Sequence, residues 1–192
     1  TLKVIGRQHT VQQTIEAFAL ARQVGFDNIN MDLILGLPGE TIEDVKHTME
    51  ELDKLRPESL TVHSLAVKRA SRLNLESEQY QDLCRMDNTE DMMACTAEYA
   101  KKWGLQPYYL YRQKNMAGNL ENVGYAIIGK EGLYNILIME EKQSIIAVGA
   151  GASTKLVYAS DRIERIENVK DVEHYINRID EMIERKKKGI LL

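Results

Sequence analysis

The chain has 192 residues and a formal net charge of −4, with 44% hydrophobic and 28% charged residues, a composition typical of a globular protein. The acidic balance gives no electrostatic basis for binding nucleic acid, which usually needs a basic face, and no apolar run approaches the ~20 residues of a membrane span. The two cysteines, Cys84 and Cys95, match no metal-binding spacing. Thiols at this frequency favour a reducing compartment, so we expect the cytoplasm.

The first predicted element is a helix that begins after Thr10. Thr10 and Gln13 have the spacing of a capping box, and Gly25 is placed to end the helix. Its predicted apolar stripe consists of Val11, Ile15, Phe18 and Ala19.

The next segment, NINMDLILGLPGET (28–41), predicts an apolar strand, a tight Gly-Pro-Gly turn and the start of a second helix. Asp32 stands in the middle of that strand. Burying an unpaired carboxylate costs several kcal/mol, on the order of 3–5 when a buried partner is lost. Asp32 therefore either lies at a solvent-exposed edge of the sheet or binds a ligand.

A second predicted helix lies between two predicted strands, which indicates a βαβ unit. Thr41 and Asp44 have capping spacing, Pro57 stops the helix, and LTVHSL (60–65) follows as the next strand. The apolar stripe of this helix would be Ile42, Val45, Met49 and Leu52. The connection implies two parallel strands joined by a right-handed crossover, and parallel strands are usually buried on both faces.

The rest of the chain predicts one more helix, from about Asn88 to Gly104, and then short strands of the antiparallel kind. The β-rich runs are PYYLY (107–111), GYAII (124–128), YNILIM (134–139), SIIAVGAG (144–151) and TKLVYAS (154–160). A final helix carries an apolar stripe of Val172, Tyr175, Ile176, Ile179 and Ile183.

Three features of the first part are candidates for binding chemistry. Asp32 could accept hydrogen bonds from a ribose hydroxyl pair, or it could cap a turn or pair with a lysine. Gly36 and Gly39 could let the backbone approach a ligand, or they could form only a tight loop. Arg7 could clamp a carboxylate or phosphate, or it could be an ordinary surface residue.

Further along the chain, the alternatives are also open. His63 lies in mid-strand, where a hydrogen-bonded core histidine is the ordinary interpretation. The glycine-rich segment 149–153 is closer to a turn than to a phosphate loop, because no clear helix follows it. The cluster of Tyr108, Tyr109, Tyr111 and Arg112 could line a pocket for a flat acidic molecule or could pack in the core.

Taken together, IGRQHTVQQTIEAFALARQVGFDNINMDLILGLPGET and the strand LTVHSLAV resemble the later barrel region of the oxygen-independent coproporphyrinogen III oxidase family. These are radical S-adenosylmethionine enzymes. YLYRQKN and VGAGAST (148–154) resemble C-terminal signatures of the Firmicute-type members. The resemblance runs over most of the chain, and DLILGLPGET carries most of its specificity.

The resemblance implies an α/β fold: the C-terminal part of an open parallel (β/α)6 barrel, with its last two strands, and then an α+β domain with antiparallel strands. Residues 1–67 would be the remnant of the barrel and residues 68–192 the C-terminal domain. By similarity Asp32 would hold the ribose of S-adenosylmethionine, and Arg7 would lie near the methionine carboxylate. The other residues implied to border the cofactor are Ile34, Gly36 and Ala66.

One departure from the family is clear: the chain contains no CxxxCxxC motif, and an iron–sulfur cluster needs thiolates placed together. We therefore expect an inactive C-terminal fragment, starting at Thr1, of a coproporphyrinogen III dehydrogenase. That parent would bind S-adenosylmethionine and a 4Fe-4S cluster, and it would convert coproporphyrinogen III to protoporphyrinogen IX in heme biosynthesis.

Two alternatives to this function are a heme-binding or heme-trafficking member of the same family and a stand-alone nucleotide-binding α/β module. The expected partner is the porphyrinogen substrate, without nucleic acid or membrane. A fragment that starts before the fourth barrel helix would also expose an edge of its sheet along residues 28–35, through which it could self-associate.

Overall fold

The computed structural model describes residues 1–3, 5–65, 89–111, 122–159 and 162–190. These residues divide into two compact units, Thr1–Gly132 and Leu133–Leu192. Within the described ranges, the helices are all too short or too polar to cross a membrane.

The first unit is built around a four-stranded mixed sheet. Its elements are α1 (Val11–Gln23), β1 (Asn30–Leu35), α2 (Ile42–Leu55), β2 (Ser59–Ser64), α3 (Thr89–Lys102), β3 (Gln106–Tyr111) and β4 (Asn122–Ala126). The strand order is β1-β2-β4-β3. β1 and β2 are parallel, and β4 runs antiparallel to both β2 and β3. The predicted α/β class, with a parallel pair followed by antiparallel strands, is confirmed.

The predicted domain boundary between residues 67 and 68 adjoins segment 66–88, which lies outside the described residues, so it stays a prediction. In the described part, β3 and β4 continue the same sheet as β1 and β2.

The capping boxes predicted for α1 and α2 are both present. The Gln13 amide N–H donates to Thr10 Oγ1 at 3.2 Å, and the Thr10 N–H donates back to Gln13 Oε1 at 2.8 Å. At α2 the Thr41 N–H donates to Asp44 Oδ2 at 2.8 Å, and Thr41 Oγ1 donates to the same oxygen at 2.9 Å. Such a box pairs two of the amide groups that the first helical turn leaves without partners.

The apolar stripe predicted for α2 is confirmed, whereas the stripe predicted for α1 is partly wrong. On α1, Phe18 is buried and Ile15 half-buried, but Val11 is 61% exposed and Ala19 is also exposed. A helical pattern says which residues share a face, and only the neighbouring elements decide whether that face is covered.

The hydrophobic core lies on one side of the sheet, between the sheet and helices α2 and α3. Leu35, Met49, Leu60, Val62, Ala100 and Trp103 are among its buried residues. The two helices are also joined by Asp53 on α2, which accepts hydrogen bonds from Lys102 at 2.8 Å and from Trp103 Nε1 at 2.6 Å. These bonds hold the pKa of Asp53 below its usual value, and the bond from Lys102 has the larger effect.

This lowered pKa predicts how stability depends on pH. An aspartate whose pKa falls on folding stabilises the fold above its unfolded pKa of about 3.9, and the contribution is lost as the pH falls through the folded value. We therefore expect Asp53→Ala to lower the unfolding temperature at pH 7, and the gap to the wild type to narrow below about pH 4. Thermal unfolding, followed by the fluorescence of Trp103, measures this difference in unfolding temperature at each pH. The control is Glu50→Ala, at an exposed position on the same helix. A gap that widens on acidification would contradict this role of Asp53.

The second unit comprises α4 (Leu133–Met139), β5 (Ser153–Val157), β6 (Ile163–Glu167), α5 (Val172–Asn177) and α6 (Ile179–Ile190). β5 and β6 form an antiparallel hairpin. Of the strand predicted over 154–160, residues 154–157 lie in β5, residues 158 and 159 lie beyond its end, and residue 160 lies outside the described residues. The segment 149–152 forms a turn before β5, in which Gly149 (φ 103°) and Gly151 (φ 71°) adopt left-handed backbone conformations.

The strand predicted over YNILIM (134–139) is wrong, because these residues form α4. A short continuous apolar run has no period that separates a strand from a helix. The helix gains support from Lys155, which is only 8% exposed and donates through Nζ to the carbonyl of Ile138 at 3.1 Å. A cation at a helix C-terminus is favourable.

Two further predictions for this unit need correction. The run 144–151 forms a single bridge, Ile145 with Lys155, instead of a strand. The final helix is two helices that meet at Arg178. In its predicted stripe, Val172, Ile176, Ile179 and Ile183 are exposed and Tyr175 is half-buried, while the buried side chain is Met182.

Candidate functional site

The side of the sheet opposite the helices is polar. Met31, Leu33 and Leu35 of β1 pack on the core, so the alternating residues Asn30, Asp32 and Ile34 face the other way. The parallel register pairs Asp32 with Thr61 and Ile34 with His63. We call the surface formed by Asn30, Asp32, Thr61, His63 and Tyr109 the polar face.

The polar face explains why an aspartate stands in an apolar strand. The Asp32 side chain is 63% exposed, so its charge is not buried and carries no large desolvation cost. The expectation that both strands are buried on two faces is wrong for β1, because its side away from the helices is not covered by described residues. This exposed position is compatible with both alternatives for Asp32, a solvent-exposed edge of the sheet and a ligand-binding site.

Hydrogen bonds join the residues of this face across β1 and β2. Asn30 Nδ2 donates to Asp32 Oδ1 at 2.6 Å, and Thr61 Oγ1 donates to Asn30 Oδ1 at 3.1 Å. His63 Nε2 lies 3.9 Å from Asp32 Oδ2. His63 is half-buried on the polar face, so its interpretation as a core histidine is wrong.

Tyr109 extends the polar face to β3. Its ring lies over Gly124 of β4, where an added Cβ would be 2.0 Å from Tyr109 Cε1. Gly124 pairs in turn with Thr61 of β2, and Thr61 is a hydrogen-bonding neighbour of the Tyr109 hydroxyl. Burial raises the pKa of Tyr109, and the neighbouring charge of Asp32 adds a smaller rise. The phenol therefore stays protonated at neutral pH.

Of the predicted site residues, the structure brings Asp32, Ile34 and Gly36 together near the carboxyl end of β1. Gly36 (φ 77°) and Gly39 (φ 78°) both adopt left-handed backbone conformations in the turn that follows the strand. Arg7 is exposed in the turn before α1, outside the polar face. Ala66 lies outside the described residues.

The sequence interpretation missed Asn30 and Thr61, and it left Tyr109 open between pocket and core. The available signal was the alternation Asn-x-Asp in the first strand and Thr-x-His in the second. Polar residues two apart in adjacent strands lie on one face, which would have predicted a common polar surface.

In the described ranges, no group of three or more histidine, cysteine, aspartate or glutamate side chains is arranged to hold a metal ion. The exposed carboxylate of Asp32 on the polar face can accept hydrogen bonds from hydroxyl or amino groups of a ligand.

The chain is similar to several known proteins. Residues 1–52 match the family model of the Radical SAM superfamily. The oxygen-independent coproporphyrinogen-III oxidase-like protein HemZ of Bacillus subtilis is 48% identical over 97% of the chain, and the heme chaperone HemW of Lactococcus lactis is 30% identical over 98%. The solved structure of coproporphyrinogen III oxidase (HemN) from Escherichia coli, a radical SAM enzyme, matches 94% of the chain with a TM-score of 0.65 at 18% identity.

The fold and its relatives define a protein of the radical SAM class. Within that class, the chain belongs to the family of oxygen-independent coproporphyrinogen III oxidases and oxidase-like proteins. It spans 37% of the HemZ relative, 47% of the HemW relative and 40% of the HemN structure, which is less than half the length of each.

Proposed function

We propose that the chain is part of a longer cytoplasmic enzyme that converts coproporphyrinogen III to protoporphyrinogen IX by radical oxidative decarboxylation. Membership of the family supports this function, and the HemZ relative, 48% identical over 97% of the chain, carries most of the weight. When bound to the parent protein, S-adenosylmethionine and a 4Fe-4S cluster would supply the radical chemistry.

The residues of this chain that we propose for S-adenosylmethionine are Asp32, Ile34, Gly36, Arg7 and Ala66. The polar face fits a nucleoside: Asp32 Oδ1 is held by Asn30, and the carboxylate remains largely exposed to accept from a pair of ribose hydroxyls. Ile34 on the same face offers apolar contact for a base. Gly36 leaves the backbone accessible at the strand end.

The direct test of this function is a turnover assay with the full-length protein. Anaerobic incubation with coproporphyrinogen III, S-adenosylmethionine and a chemical reductant should yield protoporphyrinogen IX, measured as protoporphyrin after oxidation. Absence of product from protein with a full cluster would contradict the oxidase function.

A second candidate is a heme-binding or heme-trafficking protein. The observation that favours it is the HemW relative, named a heme chaperone, which is 30% identical over 98% of the chain. Absorption titration of the full-length protein with heme tests it: a saturable Soret shift together with absence of turnover would favour this candidate. The HemZ and HemW relatives, of which the chain spans 37% and 47%, give no support to a stand-alone nucleotide-binding module.

We also predict that the chain binds no iron–sulfur cluster by itself and is therefore inactive, because its two cysteines do not form the family's motif. After anaerobic reconstitution with iron and sulfide, the desalted chain should show no stable visible charge-transfer absorbance. Stoichiometric cluster loading that is lost in Cys84→Ser or Cys95→Ser would contradict this prediction.

We also propose that the isolated chain associates with further copies of itself. β1 is an outer strand of the described sheet, and unpaired strand edges favour association with another chain. We expect light scattering to show association that rises with concentration, and those amides of β1 that point away from β2 to be protected from exchange. A monomer at high concentration with freely exchanging amides there would overturn the proposal.

A further inference from the structure

We propose that Tyr109, Thr61 and Asn30 form a hydrogen-bond relay that positions the carboxylate of Asp32 for a ligand with two neighbouring hydroxyls. The relay is a feature of the folded chain by itself, whereas its ligand rests on the function proposed above. Its three members act through Asp32 and are positioning residues.

The hydrogen bonds of the relay have one consistent direction. Thr61 has a single hydroxyl proton, and it is donated to Asn30 Oδ1 at 3.1 Å. Because this proton is used, we infer that the Tyr109 hydroxyl is the donor towards Thr61, its hydrogen-bonding neighbour on the other side. Asn30 accepts through Oδ1 and donates through Nδ2 to Asp32 Oδ1 at 2.6 Å. Every donor therefore points towards the carboxylate, and bonds aligned in this way polarise one another.

The inner part of the relay is protected from water. Thr61 is 3% exposed, on β2 between β1 and β4. A buried hydroxyl needs partners, and Thr61 finds them in Asn30 on one side and Tyr109 on the other. At the outer end Asp32 is 63% exposed, so the fixed part of the network lies inside and the ligand-accessible part lies outside.

The path from Tyr109 to Thr61 depends on Gly124. The intervening strand β4 pairs Gly124 with both Thr61 and Tyr109. A Cβ at this position would lie 2.0 Å from Tyr109 Cε1 and 2.3 Å from Cδ1, which no side chain can tolerate without moving the ring. Glycine at position 124 thus lets the tyrosine cross a whole strand to reach Thr61.

The consequence for Asp32 is that one oxygen is fixed and the other is presented. Oδ1 is held by Asn30, while Oδ2 has His63 Nε2 at 3.9 Å, beyond hydrogen-bond distance. A free exposed aspartate must be ordered when it binds, which lowers affinity, and a side chain that is already held avoids that loss. Through the relay, strand β3 contributes to a site on strand β1.

The relay is tested first without any ligand, by NMR couplings that report the χ1 angle of Asp32 in this chain. We expect a single rotamer in the wild type, and averaging over several rotamers in Asn30→Ala, Thr61→Val and Tyr109→Phe. The matched controls Thr48→Val on α2 and Tyr111→Phe on β3 make the same chemical changes and should leave the couplings unchanged. Gly124→Ala should have the effect of Tyr109→Phe because it displaces the ring. A single Asp32 rotamer in all three relay variants, or averaging already in the wild type, would overturn the relay.

The second arm measures the affinity of the full-length protein for S-adenosylmethionine by calorimetry. Each relay variant should weaken binding by about two- to tenfold, the equivalent of one neutral hydrogen bond. In an Asp32→Ala background the same substitutions should have no further effect, since a double-mutant cycle isolates the coupling. An equal loss in both backgrounds would indicate general structural damage and overturn the relay.

The two arms separate failure of the relay from failure of the proposed function. If Asp32→Ala leaves the affinity unchanged while the χ1 couplings respond as expected, the relay is supported and the ribose function fails. If Asp32→Ala weakens binding while Thr61→Val and Tyr109→Phe do not, the ribose function is supported and the relay fails.

Discussion

Replacing Leu60 with alanine should lower the free energy of unfolding of the first unit by about 2–5 kcal/mol, the range for truncating a buried leucine. Leu60 is fully buried in β2 and pairs with Met31 of β1 and Tyr125 of β4. Its side chain belongs to the core between the sheet and helices α2 and α3. The substitution would leave a cavity at the point where the parallel and antiparallel parts of the sheet join.

Denaturation in urea, followed by the fluorescence of Trp103, measures this effect because the tryptophan is 9% exposed in the same core. Leu110→Ala is the matched control, since Leu110 lies on β3 and is 57% exposed, and a surface change of this kind stays within about 0.5 kcal/mol. Equal losses from Leu60→Ala and Leu110→Ala would show that the described core is not where the stability of this unit resides.

Replacing Asp32 with alanine should weaken the binding of S-adenosylmethionine to the full-length protein by about 10- to 100-fold, corresponding to roughly 1.5–3 kcal/mol for hydrogen bonds to a charged group. The fold should persist, because Asp32 is 63% exposed and outside the core. Calorimetric titration gives the affinity, and the unfolding temperature checks the fold.

Asp27→Ala makes the same chemical change just before β1, at a side chain that is 90% exposed and pairs with Lys130 at 3.2 Å. This control should bind S-adenosylmethionine like the wild type. If Asp32→Ala also binds with unchanged affinity, Asp32 has a structural role only, and the assignment of the ribose to the polar face is wrong.

The sequence predicts an element well where the apolar pattern, the start signal and the stop signal all indicate the same structure. For α2, the capping pair Thr41 and Asp44, the stripe through Val45 and Met49 and the stop at Pro57 all indicate the same helix, and the structure has it at Ile42–Leu55. Local preference and tertiary packing point in one direction there, which makes such a segment predictable.

The predictions of secondary structure and burial fail where tertiary packing, which is not visible in the sequence, determines the outcome. YNILIM has no period, and its helical state is supported by Lys155, a residue 17 positions after Ile138 that donates to its carbonyl. The stripe of the last helices is periodic, yet Val172 and Ile176 are exposed, since periodicity defines a face without defining what covers it.

The candidate site was predictable in part for a similar reason. The resemblance to a family pointed to Asp32, and the polar face places that residue where a ligand can reach it. The partners of Asp32 come from three strands, and Tyr109 is 77 residues further along the chain. Its position over Gly124 is fixed by the pairing of β3 with β4, which no local pattern contains.

The central claim, that the polar face holds the ribose of S-adenosylmethionine, is tested most directly by a crystal structure of the full-length protein with S-adenosylmethionine bound. We expect both ribose hydroxyls within hydrogen-bond distance of the Asp32 carboxylate, with Asn30 still donating to Oδ1. A ribose bound elsewhere, with Asp32 facing only solvent, would contradict the claim.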